Sequence, residues 1–421
     1  MTEAQNWDWE LGEKCIEPAS WTAQFQWMEE FQVSPDGESI GAVVNIDEAQ
    51  FTVCVNGRTW PNPLEKIWHL RFSVTGKAYA LVSEEGEWTV ALDGQLWENR
   101  FGYAWHPMIS GSGNHLAVAV QNDMRYTMAL DDTLWPQDYA DMTYFTLSRD
   151  GSTTAAAVQV KEADSGEVHK FQEGIFSAAL NGQTWDSTFL NVWNLAISPD
   201  TSHLAAEVRL NLYDYTIAVD DHTWPNTYDC VWAPCFHPTS NAVVAPVRSK
   251  GKWTMARDGA RLWDRSFDQV WQQHFSADGN HLAAIVAPRY GRWTMAVDGV
   301  PWKVTFGDMV TDPVFSPTGT EIAALAKDKG RWTVVVNGRP WQHTFDRAWP
   351  PVFSPDSSLV AAKVEHQGGF TIAVNDCLWN QSCDQVWEPI FSPDGQRLLI
   401  RSIRKGKYYR QVISISDIVD F

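Results

Sequence analysis

Nine times along this chain an aromatic residue opens a short apolar run, a turn-forming pair follows, and tryptophan closes the frame. Trp293-Thr-Met-Ala-Val-Asp-Gly-Val-Pro-Trp302 is the clearest copy, and Phe51-Thr-Val-Cys-Val-Asn-Gly-Arg-Thr-Trp60 the earliest. The others begin at Trp88, Tyr126, Phe176, Tyr215, Trp253, Trp332 and Phe370. The central pair is Asn or Asp followed by Gly or Asp, the residue choice for a two-residue hairpin that needs positive φ. Each copy therefore predicts strand, tight turn, strand. A second signature precedes each copy, as in Phe31-Gln-Val-Ser-Pro-Asp-Gly and Phe391-Ser-Pro-Asp-Gly.

Anchoring the repeat on the small polar residue of that second turn gives Ser34, Ser73, Ser110, Ser148, Ser198, His237, Ser276, Ser316, Ser354 and Ser392. The steps between them are 39, 37, 38, 50, 39, 39, 40, 38 and 38 residues. Four short strands per unit, turn signals at regular spacing and a period near 40 predict β-propeller blades. The expected fold is all-β: a closed propeller of about ten four-stranded blades over residues 20–421, preceded by an acidic arm over 1–19. The last unit stops before its fourth strand, so a strand from residues 20–27 is expected to complete it and remove an exposed sheet edge. One ring of ten is favoured over two rings of five, because a second closure and a linker are not visible.

The tryptophans are periodic. Of the 24, ten lie 13 or 14 residues before an anchor, seven lie five before one, and four open a third strand. Only Trp7, Trp9 and Trp27 fall outside these rows. Periodic placement points to packing between neighbouring blades.

Charge and motif content narrow the function. A net charge of −20 argues against nonspecific binding to nucleic acid or anionic lipid. No basic and apolar leader opens the chain and no apolar run is long enough to span a bilayer, so a cytoplasmic protein is expected. Cys230, Cys235 and His237 lie close in sequence, but Cys-x₄-Cys spacing with no evident fourth ligand is poor for a metal. Neither a metal nor a cofactor is expected. No nucleophile, zinc or phosphate-loop motif is present, so the chain is read as non-enzymatic.

The Ser-Pro-Asp-Gly turns and short repeated strands resemble WD40-like propellers of the TolB type. The tryptophan content and the Trp-Thr-(Met/Val)-Ala-Val-Asp-Gly frame resemble, more narrowly, the tryptophan-rich subunit of the Tmc transmembrane redox complex of sulfate-reducing bacteria. That resemblance implies a cofactor-free scaffold, peripheral to the inner membrane on its cytoplasmic side. Its partners would be haem and iron–sulfur subunits. The competing expectation is an enzyme or ligand-binding propeller with its pocket in the central channel, marked by convergent polar residues on the first strands.

Three stretches are candidates for partner binding. Trp7 and Trp9 are aromatic in an acidic arm, suited to anchoring in a neighbour's pocket. The unit-four insertion, with Lys161, Glu162, Asp164, His169 and Lys170, is a long polar loop on a rigid ring. The last unit concentrates six of the 32 basic residues, Arg401, Arg404, Lys405 and Lys407 among them, within 14 positions. The Asp residues of the first and third turns of each unit are expected to make one face acidic, mainly as turn formers.

Overall fold

The turn pairs behave as their residue types require. Asn56 and Gly57 have φ of 48° and 81°, and Asp298 and Gly299 have 51° and 78°, the left-handed pair of a type I′ turn. The first residue of the pair has a second duty. Its side-chain oxygen accepts the backbone N–H that opens the second strand of the same blade. Ile40 donates to Asn56 at 2.9 Å, Ala78 to Asp93 at 2.8 Å, Leu282 to Asp298 at 2.9 Å and Val360 to Asn375 at 2.9 Å. Asn and Asp both tolerate positive φ and carry the acceptor, so one residue choice fixes the turn and pins the strand start.

In this computed structural model, residues 4–162 and 168–419 are described. Ten antiparallel sheets, each ordered first to fourth strand, form ten blades arranged as a β-propeller. Blade 2 is representative, with strands Lys66–Phe72, Ala78–Glu84, Glu87–Leu92 and Gln95–Leu96. In blades 6, 9 and 10 the first strand is split in two, as at Arg347–Ala348 and Val352–Phe353. Pro234, Pro350, Pro351 and Pro389 stand at the breaks, where a missing N–H interrupts the ladder. The chain divides into two compact units. One comprises residues 1–48, 52–60 and 267–421 and holds blades 1 and 7 to 10; the other comprises 49–51 and 61–266 and holds blades 2 to 6.

An N-terminal strand does complete blade 10, but it is Gly12–Ile16 and not the segment 20–27. It pairs antiparallel with Lys407–Ser414, from Gly12 opposite Val412 to Ile16 opposite Tyr408. Ala19–Thr22 forms one turn of α-helix instead, entered through Pro18 at φ −57°. Proline is pre-set for a helix start and cannot donate to a ladder, which moves the strand upstream of it. Trp21 still takes its place in the repeat, buried with Val44 and Cys54.

The tryptophan rows separate on burial. Trp60, Trp135, Trp224, Trp263 and Trp379, each 13 before an anchor, are buried. They pack on the turn of the following blade: a Cβ added at Gly182 would meet Trp135 Cβ at 3.0 Å, and one at Gly259 would meet Trp224 Cβ at 3.1 Å. Where that turn glycine is replaced by Asp, the carboxylate clamps the preceding blade. Asp132 accepts the N–H of Glu98 at 2.7 Å and of Asn99 at 3.2 Å, and Asp376 those of Gln342 at 2.7 Å and His343 at 3.0 Å. The row five before the anchor is different: it lies on the first strands and stays partly open to solvent.

Candidate functional site

On six of the ten first strands the residue four before the anchor holds a left-handed backbone without being glycine. These are His69 (φ 60°), His106 (54°), Tyr144 (53°) and Asn194 (43°) in one unit, with Gln272 (48°) and Asp312 (53°) in the other. Each marks a β-bulge, as between Trp68 and Arg71 or Trp105 and Met108. Non-glycine residues in this region cost on the order of 1 kcal/mol apiece, so six at one repeat position is a built feature. A regular strand sends successive side chains to opposite faces; the bulge instead leaves both Trp68 and His69 exposed, and both Thr143 and Tyr144.

In blades 2 to 4 the bulged strands carry a continuous run of aromatic rings. Trp68 lies 4.4 Å from Trp88 and 6.4 Å from Tyr103, ring centre to ring centre. Tyr103 stacks on Trp105 at 5.7 Å, and Trp105 meets Tyr126 at 5.9 Å and Phe145 at 5.8 Å. His106 touches Phe145 at 5.5 Å. Trp68, Tyr103 and Tyr144 are 46 %, 41 % and 44 % exposed, far above the buried row that closes each repeat. Trp68 and Tyr103 are supported laterally by neighbouring rings, and rigid aromatics left open in this way are the side chains that anchor partners.

Opposite the position five before the anchor, which is tryptophan in seven blades, the second strand has an apolar residue in seven of the ten, such as Leu81, Ile285 and Leu325. Three blades put a charge there: Glu207, Lys363 and Arg401. Glu207 is only 5 % exposed and accepts a bond from Asn194 Nδ2 at 2.8 Å. Burial pushes its carboxyl up to about 7, against that hydrogen bond. The Lys363 amine sits 4.4 Å from the Trp349 ring centre and 5.6 Å from that of Phe370; burial lowers it, opposed by Glu388 and Glu30. These groups were hidden in the sequence because each occurs once. Register alignment of the second strands would have singled them out.

The residues expected to bind partners separate into used and open ones. Trp7 and Trp9 stack on each other at 6.3 Å and are half-buried, with Trp9 Nε1 donating to Ala4 O at 2.7 Å. Arg397 donates to Trp9 O at 2.6 Å, so the segment is pinned to blade 10. Arg401 is buried and donates to Ser34 O at 3.1 Å and Glu388 O at 2.7 Å, which removes it from any docking surface. Arg404 pairs with Glu13 and lies 3.9 Å from the Tyr409 ring centre; Lys407 pairs with Glu17. Their charges hold the closing strand, and Lys405 alone of the four stays exposed without an ion pair among the described residues. In the unit-four insertion Lys161, Glu162 and His169 are exposed, Lys161 Nζ donating to Thr188 Oγ1 at 3.0 Å. Lys170 lies in the short helix Val168–Gln172, and Asp164 lies outside the described residues.

The turn carboxylates are engaged as turn formers. Asp150, Asp278, Asp356 and Asp394 each accept the hydroxyl of the anchor serine at 2.5–2.6 Å and a backbone N–H two residues on. The anchor hydroxyls and these N–H groups hold the four carboxyls below their ordinary value. His115 and His281 pair with the hairpin residues Asp131 and Asp298 at 2.6 and 2.8 Å. Cys230 and Cys235 are half-buried, and burial pushes the Cys235 thiol up to about 11, which disfavours the thiolate a metal needs. Among the described residues no three His, Cys, Asp or Glu side chains converge to hold a metal ion, and no helix is long and apolar enough to cross a membrane.

What the fold and this site define is a β-propeller with an aromatic first-strand surface. No family model matches the chain, and no curated protein matches it. Among solved structures, the crystal structure of the eukaryotic initiation factor is 12 % identical at a TM-score of 0.47, covering 82 % of this chain and 98 % of that one. The Dos1 propeller is 10 % identical at a TM-score of 0.35, covering 91 % and 92 %. Likeness at these levels says nothing of what this chain does.

Proposed function

We propose that this protein is a non-catalytic docking scaffold. The observation that carries the reading is the exposed aromatic run on the first strands of blades 2 to 4, built on backbone that the sheets hold in place. Large rings with few rotatable bonds lose little entropy on binding, and a rigid support lowers the cost of association further. The partners we assign are protein subunits. Resemblance to the tryptophan-rich Tmc subunit supports a finer reading, in which the scaffold serves a membrane-associated electron-transfer complex at its cytoplasmic side and meets haem or iron–sulfur subunits.

A second reading is favoured by the polar bulge residues His69, His106 and Asn194 together with Glu207, all in one unit: a ligand-binding or enzymatic propeller whose pocket faces the first strands. Affinity purification of the tagged chain from its native host separates the two. Co-purifying haem or iron–sulfur chains, around a propeller that is itself colourless and metal-free, are expected for the scaffold. A lone propeller carrying its own chromophore or metal would overturn it.

A further inference from the structure

The aromatic strip of blades 2 to 4 carries exposed basic side chains in an acidic chain. Against a net charge of −20, Lys66, His69, Arg71 and His106 all stand exposed on two adjacent first strands. Among the described residues neither Lys66 nor Arg71 forms an ion pair. Lys66 Nζ lies 6.0 Å from the Trp88 ring centre, and the Arg71 guanidinium donates to the Leu70 carbonyl at 2.8 Å. Of the neighbouring carboxylates, Glu65 accepts the N–H of Gly86 at 3.0 Å, Asp141 that of Met142 at 2.9 Å, and Glu84 pairs with Arg100. Arg71 and His106 lie close enough to His69 to add to burial in lowering its imidazole. Two cations that form no ion pair among the described residues thus stand beside open ring faces.

We propose that this strip is the docking site for an extended acidic segment of a partner protein, in which carboxylates alternate with aromatic or proline side chains. The inference rests on the scaffold reading and names the chemistry of its partner. Carboxylates meet Lys66 and Arg71, which form no ion pair among the described residues, and the intervening rings stack on Trp68, Tyr103 and Tyr144. The strip crosses three blades and is open, which suits a length of chain. Single-stranded nucleic acid also combines stacking with cations, but it needs a row of phosphate contacts. Two permanent cations on a strongly acidic protein do not supply that row.

The test uses the full chain and a fluorescein-labelled peptide in which Glu alternates with Phe and Pro, followed by anisotropy at low ionic strength and at about 0.3 M salt. Saturable binding that weakens with salt is expected. The double variant Lys66→Gln, Arg71→Gln should lose about tenfold in affinity, ~1.4 kcal/mol, and most of the salt dependence. Trp68→Ala, at a half-exposed site, should weaken binding without flattening the salt response. A Lys-for-Glu peptide should not bind. Equal affinity for the Lys peptide, unchanged binding by the double variant, or displacement of the peptide by oligothymidine would each overturn the proposal. Native partners retained in full by the double variant would also overturn it, while leaving the scaffold reading intact. If no partner accompanies either chain, the scaffold reading fails and this assignment fails with it.

Discussion

The hairpin residue that serves both turn and strand can be dissected at Asp93. It holds φ 48° and accepts the Ala78 N–H at 2.8 Å, and Ala78 is fully buried at the start of the second strand of blade 2. Asp93→Asn keeps the acceptor and the tolerance of positive φ, so its effect should stay within about 0.5 kcal/mol. Asp93→Gly keeps the backbone but strands a buried donor, at a cost of roughly 1–3 kcal/mol. Asp93→Ala loses the acceptor and adds about 1 kcal/mol for a left-handed Cβ residue. Hydrogen exchange at the Ala78 amide reads these differences locally, about tenfold in rate for each 1.4 kcal/mol. The expected order of protection is wild type and Asn, then Gly, then Ala. Ala protected as well as Asn would show that the side chain does not pin the strand, and Gly exchanging faster than Ala would remove backbone strain from the account.

Other substitutions report on the blade contacts and the buried charges. Gly182→Ala brings a Cβ to 2.9 Å from Pro136 Cδ and 3.0 Å from Trp135 Cβ at φ 79°, whereas Gly251→Ala at φ 77° meets nothing within 4 Å. The second should cost about 1 kcal/mol and the first 1–3 kcal/mol more, read as the difference in unfolding midpoint. Glu207 has its carboxyl raised from 4.5 to about 7, so the native state holds a proton that the unfolded chain has released. That contribution is full below pH 4.5 and lost as pH rises through 7, and Glu207→Gln should therefore leave stability unchanged in acid but raise it by about 3 kcal/mol at pH 8. An unaltered urea midpoint at pH 8 would contradict the burial of this acid. Arg401→Ala removes the donor to the Glu388 carbonyl and one of two donors to the Ser34 carbonyl, which keeps the Gly37 N–H. It should cost about 2–3 kcal/mol in thermal stability, with no effect on peptide binding at blades 2 to 4.

Local chemistry made most of the architecture readable. The Asn/Asp-Gly/Asp pairs dictate type I′ hairpins because few residues accept positive φ, and that requirement acts within four residues. Ten anchors at a near-constant spacing, with one longer step, imply ten blades, and all ten sheets are found. The row of tryptophans ending each repeat announced blade contacts, since Trp135 and Trp224 do lie against the next turn.

The closing strand and the candidate surface belong to tertiary structure. Gly12–Ile16 carries no strong strand pattern and depends on its partner Lys407–Ser414, with Glu13 and Glu17 meeting Arg404 and Lys407. A basic cluster that resembles a docking patch when read in line is mostly internal, because the second chain segment opposite it is almost 400 residues away in sequence. Conversely, Lys66, His69, Arg71 and His106 are unremarked in an acidic chain until two bulged strands bring them together beside Trp68 and Tyr103. Turn and strand type follow from each residue's own steric and hydrogen-bonding limits. Which charges are neutralised, and which rings remain open, depends on neighbours that only the folded chain supplies.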